Sequence, residues 1–164
     1  MRLKAMAKIN LGLDVLGKRE DGYHEVRMIM QTIRMYDILD IRKTRRPGIV
    51  LTTNLPFIPT DQRNLVYKAA QMLMEEFDVE EGLSIKLSKF IPVAAGMAGG
   101  SSDAAAAFVG VNRMFHLGLT EEQLMERAVK VGADVPYCIM RGTALAEGIG
   151  EKLTRLPEVP KCYV

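Results

Sequence analysis

Pro92-Val93-Ala94-Ala95-Gly96-Met97-Ala98-Gly99-Gly100-Ser101-Ser102-Asp103-Ala104-Ala105 sets a turn of small residues directly ahead of a helix start. Gly96, Ala98, Gly99 and Gly100 leave the backbone unobstructed, so its N–H groups can point at an anion. Ser101, Ser102 and Asp103 supply capping side chains, and Ala104 to Ala107 favour helix. The positive end of a helix dipole then faces the same spot, and the pattern predicts a phosphate site. Neither common nucleotide signature fits. No Lys follows Gly100, as G-x-x-x-x-G-K-[ST] requires, and Gly96, Gly99 and Gly100 are not spaced as G-x-G-x-x-G. Close packing of a helix on a sheet is the competing use of the same small residues.

Outward from this loop, Leu83 to Ser88 alternates with period two and predicts a strand leading in, while the helix that starts at Ser101 runs to about His116. Asn64 to Phe77 places Leu65, Val66, Ala69, Ala70, Leu73 and Phe77 on one helical face. Thr120 opens another helix with Gln123 completing a capping box and Gly132 closing it. Ala133 to Cys138, with Asp134 two residues ahead of Pro136, suits a loop turning into a short helix. Strands are expected at Leu3–Leu16, Arg27–Ile33, Ile38–Thr44, Ile49–Thr53 and Thr143–Ala146, with a polar turn from Gly17 to Glu25 and another strand beginning at Lys161. Separated strands and helices of this kind predict an α+β layered domain rather than a regular βαβ series.

At 164 residues the chain has the length of one domain with a real core. Its 22 Lys and Arg are nearly matched by 20 Asp and Glu, which gives no case for a nucleic-acid partner. The basic run Arg42–Arg46, beside Pro47 and Gly48, reads as a solvated strand end. Cys138 and Cys162 stand far apart with no C-x-x-C, and His24 and His116 are isolated, so no protein metal cluster or disulfide framework is expected. The N-terminus is charged early and interrupted by Asp14, unlike a signal peptide or membrane span. Reduced thiols and a cytoplasmic location follow as expectations.

Three elements then have to be taken together: Ala7-Lys8-Ile9-Asn10-Leu11 followed by Asp21-Gly22-Tyr23-His24, the Pro92–Ala105 loop, and Gly132-Ala133-Asp134-Val135-Pro136. In this order they resemble the GHMP small-molecule kinases, over essentially the whole chain. The resemblance implies the family's two-layer, ribosomal-protein-like N-terminal fold for residues 1–164. It implies that Pro92 to Ser102 cradle the phosphates of ATP, with the Ser101 and Ser102 hydroxyls offered to phosphate oxygens or to a magnesium ion carried with the nucleotide. Asn64, Leu65 and Lys89 match adenosine contacts. Ala98 stands where the family loop usually has Gly, which narrows the allowed backbone angles.

By the same resemblance Lys8 and Asp134 are the catalytic pair, the carboxylate orienting an acceptor hydroxyl toward the γ-phosphorus. Asn10 holds the polyol or the Asp, Tyr23 stacks on a cytosine and His24 reads its edge. The opening element narrows the match to the branch whose acceptor is a cytidylyl polyol diphosphate, an isoprenoid-precursor step. A second, C-terminal domain is usual in the family, so residues 1–164 are expected to be an N-terminal piece with weak turnover and an uncovered surface through which it could self-associate. Two alternatives stay open: a kinase of the same fold for another alcohol, of mevalonate or homoserine type, and a noncatalytic module of the kind that contacts RNA.

Overall fold

The computed structural model describes residues 1–18, 20, 22–160 and 162. Asp21 of the Asp-Gly-Tyr-His element lies outside these residues, as do Lys161, Tyr163 and Val164 of the strand expected at the C-terminal end. Ten elements follow in chain order: β1 (Arg2–Lys18), β2 (His24–Thr44), β3 (Ile49–Thr53), α1 (Leu65–Glu76), β4 (Gly82–Ser88), α2 (Gly99–Phe115), α3 (Glu121–Ala128), α4 (Val135–Met140), β5 (Thr143–Gly148) and β6 (Lys152–Arg155). The six strands form one sheet in the order β3-β4-β2-β5-β6, with β1 also on β2. Only β3 and β4 run parallel. The domain is α+β.

β2 organises the sheet. Along one edge it pairs with β1; along the other its first part carries β5 (Val26↔Gly148 to Gln31↔Thr143) and its last part β4 (Ile38↔Ser88 to Thr44↔Gly82). The two strands expected at Arg27–Ile33 and Ile38–Thr44 are therefore one. Arg34 to Asp37 break the hydrophobic alternation, yet β1 pairs with Tyr36 and Asp37 on one side of a bulge and with Thr32 on the other, and carries the strand through. β6 escapes sequence reading because Lys152–Arg155 is four residues long and directly follows a glycine turn.

Alternation in β2 and β4 turns Leu39, Ile41, Leu83, Ile85 and Leu87 to one face, each at most 1% exposed. Helices α1 and α2 cover that face with Val66, Ala69, Ala70, Leu73, Ala104 to Ala107, Phe108 and Val111. The other face carries Arg2, Asp40, Arg42, Thr52, Ser84 and Lys86 around a shallow hollow of about 460 Å³. Half-polar, half-apolar strands are the expected consequence of a sheet covered on one side.

Small side chains let α2 lie close to the sheet. A Cβ on Gly110 would come 2.5 Å from Ile41 Cδ1 and 2.8 Å from Leu3 Cδ1. The cap of α3 is the one the sequence predicts, a reciprocal box of Thr120 and Gln123, and Asn64 caps α1 by accepting from Val66 N–H. The start of α2 differs. Its N-cap is Ala98, with no side-chain cap bond; Ser102 and Asp103 turn inward and are buried, bonded to Met6 and Lys89 instead. Core packing and ion pairing have taken the side chains that capping alone would have used.

Two outcomes follow. Gly110→Val forces Ile41 and Leu3 aside at a cost of about 1–3 kcal/mol, so thermal unfolding falls by several degrees, whereas Gly17→Ala, with nothing within 4 Å of its added Cβ, changes little. Equal shifts would refute tight α2–sheet contact. Burial, reinforced by Asp134, pushes the Cys138 thiol up to about 12. A maleimide should label exposed Cys162 and spare Cys138 from pH 7 to 9 until denaturant is added; two labelled thiols in the native chain would contradict that burial.

Candidate active site

Between the pairs Met6↔Tyr36 and Lys8↔Thr32, the β1–β2 register slips, so two steps on β1 oppose four on β2. Over this interval β1 binds the glycine loop and α2. Lys8 N–H donates to the Met97 carbonyl at 3.1 Å, and the Ser102 hydroxyl donates to the Met6 carbonyl at 2.5 Å. The side chain of Lys8 is thereby set beside the loop. It is 6% exposed; its ammonium donates to Asn10 Oδ1 at 2.9 Å and stands 3.5 Å from Asp134 Oδ2.

Asp134 is positioned by the short helix that follows it. Pro136 fixes the first turn of α4, which packs on α2 and β1. The Asp134 side chain makes no cap bond, so its carboxylate faces Lys8 instead. On the other side the β5–β6 turn approaches. A Cβ on Gly150 would lie 2.9 Å from Met28 Cε and in ordinary contact with Asp134 Oδ1 at 3.8 Å, and its φ of +112° would strain any side chain placed there.

In the loop itself Ala94, Gly96 and Ala98 have φ of 60°, 72° and 53°, a left-handed residue at every second position. Left-handed residues in a turn are a backbone pattern that can gather N–H groups into a concavity suited to an anion, and this one stands at the head of the 17-residue α2. Two of the three are Ala, at about 1–2 kcal/mol each for the left-handed backbone, strain of the kind held at binding sites. The cleft above has a volume of about 500 Å³ and is lined by the loop from Pro92 to Ser101, by Ile58, Pro59, Arg63, Asn64 and Leu65, and by Leu87, Lys89, Asp103 and Asp134.

Loop, Lys8, Asn10 and Asp134 thus come together, and other residues take different places. Ser101 lines the cleft; Ser102 does not, its hydroxyl being spent on Met6. Asn64 builds the wall, its amide donating to Pro59 O at 2.8 Å and accepting from Val66 N–H at 2.9 Å, with half-buried Leu65 beside it. The Lys89 ammonium is held by Asp37 and, at 2.7 Å, by Asp103. Burial pushes the Asp103 carboxyl up to about 8, against the pull of Lys89, and its Oδ1 is buried without a hydrogen-bond partner. Tyr23 and His24 are exposed at the far end of the β1–β2 hairpin. His24 pairs with Lys18, ten residues along β1 from Lys8, and neither residue lines the cleft.

Sequence reasoning missed Asp37, Asp103 as an ion-pair partner, and Arg63 at the cleft edge. Arg63 pairs with Asp61 at 2.7 Å and, by its hydrogen bonds, holds that carboxyl down to about 2. Its signal was its place just before the α1 cap. Asp37 carried none, since only the fold brings β2 to the segment after β4. Among the described residues no group of three or more His, Cys, Asp or Glu side chains could hold a metal ion, and no helix is long and apolar enough to cross a membrane.

Residues 64–142 match the family model described as the GHMP kinases N terminal domain. A 4-diphosphocytidyl-2-C-methyl-D-erythritol kinase of Lachnospira eligens is 57% identical over the whole chain, which covers 57% of that relative. A crystal structure of 4-(cytidine 5'-diphospho)-2C-methyl-D-erythritol kinase superposes with a TM-score of 0.83 at 35% identity, over 95% of this chain and 55% of that one. The mevalonate kinase of Methanococcus jannaschii shares the fold, with a TM-score of 0.73 at 16% identity over 96% and 56% of the two chains. The chain spans a little over half the length of these relatives. The chain is similar to the GHMP kinases, through their N-terminal domain.

Proposed function

We propose that this cleft binds ATP and that the catalytic pair beside it passes the γ-phosphate to the tertiary hydroxyl of 4-diphosphocytidyl-2-C-methyl-D-erythritol. The observation that carries the reading is the cluster of Lys8, Asn10 and Asp134, with ammonium and carboxylate 3.5 Å apart at the edge of an anion-binding loop. The relatives named for that kinase support the choice of acceptor.

Phosphate oxygens would take the loop N–H groups and the α2 dipole, which are fixed in place before the ligand arrives. Asp134 accepts the hydrogen bond of the acceptor hydroxyl and aims its lone pair at phosphorus; as the new O–P bond forms, the bond from the γ-phosphorus to the β–γ bridging oxygen breaks, ADP leaves, and the hydroxyl proton passes to that carboxylate. A loose phosphoryl-transfer transition state asks little of the base, so an ordinary carboxylate suffices and positioning carries most of the rate. Lys8 lies where its charge offsets that of the transferring group, and Asn10 holds the ammonium in direction. Magnesium, when bound with ATP, neutralises phosphate charge. It fits a site whose oxygens come mainly from the nucleotide, with the Ser101 hydroxyl as a protein ligand.

Tyr23 and His24 offer a stacking face and an imidazole edge for the pyrimidine, displaced along the hairpin from the catalytic pair. That separation suits an acceptor with its base at one end and its reacting hydroxyl at the other.

Asp134→Asn should leave affinity for a nonhydrolysable ATP analogue equal or several-fold tighter, because a negative charge near the triphosphate is removed. Phosphoryl transfer, followed by product mass, should fall by about 10²- to 10⁴-fold. Retained transfer would end the base assignment. His24→Ala should weaken binding of the cytidylyl acceptor about tenfold, as expected for one or two lost hydrogen bonds, without changing nucleotide affinity. Unchanged acceptor binding would remove the pyrimidine-reader role.

A further inference from the structure

Lys89 directly follows β4, where the family resemblance implies an adenosine contact, but its ammonium points beneath the loop. Its side chain is 5% exposed. It donates to Asp37 Oδ2 on β2 and to Asp103 Oδ2 in the first turns of α2. Asp37 is fully buried, and its other oxygen accepts from Phe90 N–H at 2.5 Å and Ile91 N–H at 2.8 Å, the first residues after Lys89. One carboxylate on the sheet thus fixes the entry of the loop, and one ammonium fixes its exit. Gly99 closes over this junction. A Cβ there would stand 3.1 Å from Lys89 Nζ and 3.2 Å from Ile91 Cγ2, so the loop crosses the ammonium closely and any side chain at that position would push on Lys89 and Ile91.

We infer that Lys89 is a positioning residue. It holds both ends of the phosphate loop through Asp37 and Asp103 and does not itself grip the nucleotide. The consequence for ligand affinity rests on the proposed binding of ATP in this cleft; the tie between loop and sheet does not. Burial works against the charged form of Lys89 but is outweighed by the two carboxylates, which keep the ammonium above its ordinary pKa, in keeping with a permanently charged tie. Asp37 decides between the two roles. It does not line the cleft, so its substitution can reach a bound nucleotide only by way of Lys89 or the loop, and exchange in the loop without ligand separates these two routes.

The test uses the chain with Lys89→Met, Asp37→Asn and the double variant, each first shown to retain a cooperative thermal transition. Amide hydrogen exchange across residues 92–102 is measured without ligand, and affinity for a nonhydrolysable ATP analogue is measured in parallel. Each single variant should speed exchange in that segment more than elsewhere and weaken the analogue by about 10- to 100-fold. The double variant should be no more than a few-fold worse than the poorer single, since both changes cut the same tie. Unchanged exchange in both singles would overturn the proposal. So would a loss of affinity in Lys89→Met alone, with Asp37→Asn binding as tightly as the parent, which is the mark of direct contact. If the parent fails to bind the analogue, the ATP reading falls, and the exchange measurement still decides the tie. Should Lys89→Met not fold, Asp37→Asn and Asp103→Asn carry the same comparison.

Discussion

The site depends on a short interval of β1 that binds the loop and α2. Where the register with β2 slips, the Met6 carbonyl and Lys8 N–H are engaged by Ser102 and Met97. Two backbone groups thereby fix a strand, a glycine loop and the head of α2 in one place. The candidate site is hung from this junction: Lys8 by its own backbone, the loop by Met97, and Asp134 by the packing of α4 on α2 and β1. A pair of hydrogen bonds worth about 0.5–1.5 kcal/mol each is small beside the core, but it decides which residues meet.

Electrostatic organisation is layered around the same point. Lys8 and Asp134 form a partly exposed pair at the cleft edge, at 6% and 29%, where the acid remains open to the cleft. Beneath the loop, Lys89, Asp37 and Asp103 form a closed cluster whose members are all at most 8% exposed. Breaking one partner of such a cluster leaves an uncompensated buried charge, which is far costlier than losing a surface pair. The two groups therefore answer different demands. One must be reachable, and the other must not move.

Local pattern revealed much of this fold. The apolar face of α1, the capping box at Thr120 and the alternation of β4 are local signals, and each element forms where its pattern lies. The loop ahead of α2 was legible because glycine spacing and a helix start coincide. What was not legible is set by distant partners. Ser102 and Asp103 look like caps in isolation, and only the approach of β1 and Lys89 turns them inward. β2 seems broken at Arg34–Asp37 until β1 is laid beside it. Of the site, Lys8 and Asp134 could be named only through a family resemblance, since a strand-edge Lys and a helix-start Asp carry no local mark of meeting. Asp37 stayed hidden for the same reason.

The central claim is that the loop, rather than the basic outer face of the sheet, receives the triphosphate and presents its terminal phosphorus to Lys8 and Asp134. A crystal structure of the chain with magnesium and a nonhydrolysable ATP analogue tests it most directly. The account predicts phosphate oxygens within hydrogen-bonding distance of the N–H groups of Gly99 to Ser101, and the γ-phosphate beside the Lys8 ammonium. Phosphates lodged among Arg2, Arg42 and Lys86, or a nucleotide whose γ-phosphate points away from Asp134, would contradict it.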